Sequence, residues 1–173
     1  MKLLSNLNGK NLNIVSLIVL LAFSRLIPHP PNFTPIIAVA IMSAYFFKNV
    51  YFSMFVLIAS MFISDIFIGF YANIYIIYFT VSIITLVFFR FAKNLNSKNL
   101  LIFSFFGSFV FFVISNFGVW LVSGMYEKSL SGLIYCYTLA IPFFVNTLVS
   151  TILYSYLAYY ANRLLNKKLL SIH

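Results

Sequence analysis

Acidic residues are nearly missing from this chain. There are two in 173 positions, Asp65 and Glu127, against eleven lysines and arginines. Charged residues of both signs make up only 8%, where a soluble domain carries about 25%. Cysteine occurs once, at Cys136, which excludes an intramolecular disulfide and fits no metal-ligand spacing. Tryptophan occurs once, and no G-x-x-x-x-G-K-[ST] phosphate loop is present. Without paired carboxylates, a nucleophile next to a base or a metal cluster, the chain has little with which to be an enzyme. Instead, 63% of the residues are hydrophobic and the mean hydropathy is +1.04. Such a chain cannot cover a water-soluble surface and belongs to the membrane class.

The apolar residues fall into runs cut by short polar connectors. The runs predict an all-α, polytopic membrane protein forming one domain over 1–173, with six transmembrane helices at about 12–27, 35–47, 50–70, 74–91, 99–121 and 139–161. A ~30 Å hydrocarbon core needs about 20 helical residues, and the last four runs meet that. Continuous runs without period-2 alternation argue against a membrane barrel. No A-x-A-like cleavage site follows the first run, so Asn13–Ile27 is expected to stay as a span. Pro142 predicts a separate short interfacial helix around Leu130–Tyr137 before the sixth span.

Charge predicts the orientation. With both termini in the cytoplasm, that side receives Lys2, Lys10, Lys48, Arg90, Lys93, Lys98, Arg163, Lys167 and Lys168, and the outer side only Arg25 and Lys128. That is a strong positive-inside pattern, as expected for a bacterial inner membrane. The surplus of positive charge is thereby topological, facing anionic lipid, and no nucleic-acid partner is implied.

Proline is scarce as well, yet four of the five prolines lie between Pro28 and Pro35, in the stretch RLIPHPPNFTP at Arg25–Pro35. This break sits at the outer end of the first span. Thr34 is placed to cap the second helix, with Pro35 in its first turn. That helix offers 13 residues before Lys48, about 20 Å at 1.5 Å per residue, short of a ~30 Å core. A break that dips into the membrane resolves the mismatch, provided it faces protein or a cavity; bilayer thinning or a snorkelling Lys48 are the alternatives.

The rare polar residues share one depth. Arg25 and Asp65 lie near the outer ends of spans one and three, Asn116 and Trp120 at the outer end of span five, and Asn146 in the outer half of span six. His29, Asn32 and Thr34 come from the break. An outward-open polar pocket would produce this layer, with these eight residues as candidate substrate contacts and none catalytic or metal-ligating. Each has a plainer alternative. Arg25 can snorkel or form a structural pair with Asp65, Trp120 can anchor at the interface, and Asn116 and Asn146 can bond between helices. His29 with Asp65 is a poor metal-ligand set, and no cofactor is expected.

The motif R-x-x-P-H-P-P-N-F-T-P, with S-D-x-x-x-G at Ser64–Gly69, SNFGVW at Ser115–Trp120 and IPFFVNTL at Ile141–Leu148, resembles an uncharacterised bacterial family of small integral membrane proteins. That pattern is distantly similar to the substrate-binding (S) components of energy-coupling-factor (ECF) transporters. The resemblance implies an S-component-like bundle of six helices. It would capture a vitamin-like molecule from outside beneath a lid after the first helix, and dock a coupling membrane protein with two ABC-type ATPases. One departure stands out. The A-x-x-x-A docking patch of such components has no counterpart in NIVSLIVL at 13–20, where only Ser16 is small; small residues recur instead at Ala40 and Ala44 and at Thr147, Thr151 and Ser155. A stand-alone secondary transporter or channel using Asp65 as a proton site, and a structural membrane subunit, are the competing classes.

Overall fold

The computed structural model describes residues 16, 19–20, 23–71, 73–91 and 95–170, without the side chains of 44 and 165–170. Most of the first expected span and the connector at 92–94 lie outside the described residues. Before residue 24 the described residues of the span, Ser16, Val19, Leu20 and Phe23, are helical, and Val19 and Phe23 border a groove on the third expected span with Phe55, Ala59 and Ile63.

A 3-10 turn at Ser24–Leu26 leads into the break, and five α-helices follow: α1 (Ile36–Phe47), α2 (Val50–Ile68), α3 (Ile74–Phe91), α4 (Ser97–Val122) and α5 (Leu130–Leu170). There is no strand among the described residues. Helices α2 to α5 are long and apolar enough to cross a membrane; α1 is shorter. Successive helices reverse direction. The start of α1, the end of α2, the start of α3, the end of α4 and the first part of α5 gather at the end that carries the break.

α1 is the core. From Ile36 to Ser43 every residue is buried, because the helix packs against all four others. Small side chains permit this. Ala38 and Ala40 keep the helix thin, and Gly107 of α4 makes room for Ile37 and Ile41, whose side-chain carbons would lie 3.1 and 3.0 Å from any Cβ added there. The other helices carry the lipid-type surface, with exposed Phe55, Phe67, Tyr75, Phe79, Phe106 and Leu157. Thr147, Thr151 and Ser155 are buried, and their spacing of four serves close packing inside the bundle; Ala40 is likewise internal.

Two local expectations are corrected. Pro35 is the N-cap of α1, and no side chain caps that helix; Thr34 instead donates its backbone N–H to the Asn32 carbonyl at 3.0 Å. Asn32 has φ +61°, which draws residues 32–34 into a tight turn and pulls Thr34 away from the capping position. Pro142 does not end a helix. It lies inside α5, which is continuous from Leu130. Pro142 forfeits one i−4 hydrogen bond, whereas a chain break at that depth would expose several backbone groups to hydrocarbon, where each costs several kcal/mol. Contacts with α4 hold the first turns in line: Tyr137 Oη donates to the Val113 carbonyl at 2.6 Å, and Cys136 Sγ to the Asn116 carbonyl at 3.5 Å.

Candidate functional site

The site begins with how the break folds. Pro30, Pro31, Asn32 and Phe33 form a turn closed by the Phe33 N–H on the Pro30 carbonyl at 3.0 Å. Proline second and asparagine third, at positive φ, suit a type II turn. His29 braces it from below, with Nδ1 2.9 Å from the Pro30 carbonyl and Nε2 3.2 Å from the Arg25 carbonyl. Asn146 of α5 ties it down from the side, donating to the Pro31 carbonyl at 2.9 Å. The residues just before the turn and one distant helix, α5, thus hold it in place.

Beneath the turn lies an ion pair. Arg25 Nη2 is 2.8 Å from Asp65 Oδ1, and Arg25 Nη1 donates to Ser64 Oγ at 2.6 Å. Ser64 is free to accept because its own proton is turned back to the Met61 and Ser60 carbonyls of α2. The second carboxylate oxygen, Asp65 Oδ2, accepts from Tyr78 Oη of α3 at 2.8 Å. Asp65 is 0% exposed and Arg25 8%. Attraction between buried charges offsets their desolvation only when the remaining hydrogen-bonding sites are also filled. Here both carboxylate oxygens and both terminal guanidinium nitrogens are engaged, and the buried Nε has no protein partner. Gly69, at φ +97°, ends α2 one turn past Asp65, its N–H on the Asp65 carbonyl at 2.8 Å; that conformation suits glycine.

Two adjoining clefts open around these groups. The larger, about 430 Å³, is lined by Arg25, His29, Asn32, Thr34, Ile36, Ile37, Ile68, Tyr71, Asn73, Ile77, Phe111 and Thr147. The second, about 310 Å³, shares Asn32, Asn73, Ile77 and Phe111 with it and continues past Ser115, Asn116, Tyr126 and Phe143. Sizes of 300–1,000 Å³ with apolar walls and a few polar groups are typical of small-molecule sites. The Tyr71 phenol is pushed above its ordinary pKa, first by burial and then by Asp65, so it stays a donor.

Of the eight residues singled out in the sequence, Arg25, His29, Asn32 and Thr34 line the larger cleft, and Asn116 and Asn32 the second. Asp65 lies behind Arg25 and borders neither. Asn146 holds the turn. Trp120 faces the α4–α5 loop, its Nε1 donating to the Glu127 carbonyl at 2.8 Å, with Lys128 Nζ 5.2 Å from its ring centroid and bonded to its carbonyl. Tyr71, Asn73, Thr147 and Tyr78 were not among the sequence candidates. Tyr71 and Asn73 sit in the polar connector after α2, and that position at the same end as Asp65 was the available signal. Nothing in the sequence pairs Tyr78 with Asp65. Among the described residues, no group of three or more histidine, cysteine or acidic side chains is placed to hold a metal ion.

The chain belongs to a family of unknown function (DUF6580), whose model matches residues 5–172. Neither the curated proteins nor the solved structures contain a match.

Proposed function

We propose that this protein is the membrane-embedded substrate-binding component of a micronutrient importer, an S-component-like bundle of six helices that captures a small polar or vitamin-like molecule from the outer side. The observation that carries the reading is the larger cleft, which the pinned turn borders through Asn32 and which Arg25 lines with Asp65 behind it. A rigid turn orders little on closing over a ligand, so less binding energy is lost to entropy. The first helix of the six, within 12–27, carries the break; both termini are cytoplasmic in a bacterial inner membrane. The cleft end then bears only Arg25 and Lys128, and the opposite end the remaining cations. No nucleotide-binding loop is present in the sequence, so uphill import needs a coupling membrane protein and ABC-type ATPases. A proton-driven carrier working through Asp65 is less well supported, because both its oxygens are engaged within the protein.

Three experiments test this. Mass spectrometry of small molecules co-purifying with the protein in detergent is expected to find one compound enriched. Replacing residues 28–31 with a Gly/Ser stretch is expected to lower that enrichment at least several-fold while leaving the thermal melt intact. Equal recovery from the folded variant would reduce the break to a plain turn. Orientation is tested with Pro30→Cys in a Cys136→Ala background, which an impermeant thiol reagent should label in intact cells. Labelling only after membrane rupture would reverse the orientation and remove the importer reading.

A further inference from the structure

The charge inventory of the two clefts narrows what can be bound. The entire sequence has two acidic side chains. Glu127 lies in the α4–α5 loop and borders neither cleft. Asp65 is fully buried and has both oxygens occupied, by Arg25 and by Tyr78. A ligand ammonium or a metal cation in either cleft would therefore meet no carboxylate, and it would meet Arg25 as a like charge.

Donors, in contrast, converge there. Arg25 lines the larger cleft and is 8% exposed; its Nε is itself buried and has no protein acceptor. Asp65 balances its charge from the side away from the cleft, so among the described residues the guanidinium is the one charged group on that wall. Thr34 and Tyr71 add hydroxyls to the same wall. Ile36 and Ile37, the first two residues of α1, also line it. First-turn amides have no acceptor within their helix, and the helix dipole places partial positive charge at that point. The walls are apolar and aromatic, with Phe111 shared by both clefts and Phe143 and Tyr126 beyond it.

Resting on the capture reading above, we infer that the bound molecule is a small ring compound carrying a carboxylate, with the carboxylate directed to Arg25 and the start of α1 and the ring to Phe111. Cationic amines and divalent metals are excluded as substrates by the same inventory. The walls fit a ring, the donors fit an anion, and the only acid within reach is already neutralised inside the protein.

The test uses matched triplets in which one aromatic ring carries a carboxylate, a carboxamide or an aminomethyl group: benzoate, benzamide and benzylamine, with the naphthalene and quinoline equivalents. Apparent affinities come from the concentration dependence of the melting temperature of purified protein in neutral detergent at pH 7.5. In at least one ring series the acid is expected to bind tenfold or more tightly than the amine, with the amide between them. The doubly substituted Arg25→Met/Asp65→Leu protein, which keeps the site neutral, is expected to lose that preference. An amine binding as well as its acid would overturn the carboxylate inference and leave capture standing. A preference unchanged in the double variant would overturn the role of Arg25. Failure of every compound to shift the melt would remove the capture reading, and the substrate class with it.

Discussion

Asp65→Leu is expected to destabilise the protein by about 3–5 kcal/mol, because it strands a desolvated guanidinium. Arg25 Nη2 would lose its partner at 2.8 Å, and Tyr78 Oη its acceptor at the same distance. Removing both charges is a different experiment. In Arg25→Met/Asp65→Leu no uncompensated charge remains, and replacement of a buried pair by apolar groups of similar volume is often neutral or stabilising by about 1–4 kcal/mol. The double variant should therefore melt well above Asp65→Leu and near the unsubstituted protein, short of it by the lost Tyr78 and Ser64 hydrogen bonds. Thermal unfolding in detergent reads both. Equal melting of the single and double variants would mean that the cation finds another partner, and that the pair does not hold the break against α2.

Gly118→Val is the second large effect. Gly118 of α4 packs against Ile76 of α3 so closely that an added Cβ would lie 2.5 Å from Ile76 Cδ1, 2.6 Å from Cγ2 and 3.2 Å from Cβ. The Cγ2 and Cβ atoms are near the backbone and cannot swing aside, so the helices themselves must part. Overpacking of this kind costs about 1–3 kcal/mol. The neighbouring Ile77 lines both clefts, so the displacement should also alter binding. Adding Ile76→Ala should restore most of the lost stability by making room. A Gly118→Val protein that melts like the unsubstituted one would show that α3 and α4 are not in firm contact at this level.

Much of the architecture was legible because membrane helices announce themselves by hydropathy. The ends of α2, α3 and α4 fall within two residues of the expected ones. The Arg25–Asp65 pairing was legible for an energetic reason: an isolated charge in an apolar run needs a partner, and the chain offers few. Two things were not legible. The first is that Pro142 leaves α5 unbroken, since apolar surroundings penalise a broken helix more than the one hydrogen bond that proline forfeits. The second is which polar groups meet. Depth along a helix can be read from sequence, but rotation about its axis cannot when nearly every side chain is apolar. Trp120 and Asn116 share the last two turns of α4, yet Trp120 faces the loop while Asn116 lines a cleft. Tyr78, on α3, closes the carboxylate site through a contact that only the packed helices create.

The enclosure of α1 bears on how the chain enters a membrane at all. An isolated segment of 12 residues spans about 18 Å and is too short to be accepted alone by a ~30 Å bilayer. Only Lys48 and Asn49 separate it from α2, whose 19 residues are long enough. The two must therefore enter together as a hairpin, with α2 carrying the commitment and α1 sheltered as a passenger until α3, α4 and α5 close around it. Before those helices are synthesised, the cleft-facing end of α1 has no wall opposite it. The clefts thus close late: Phe111 of α4 lines both, and Thr147 and Phe143 of α5 complete one each, so a nascent chain halted before α5 would be inserted with both walls unfinished.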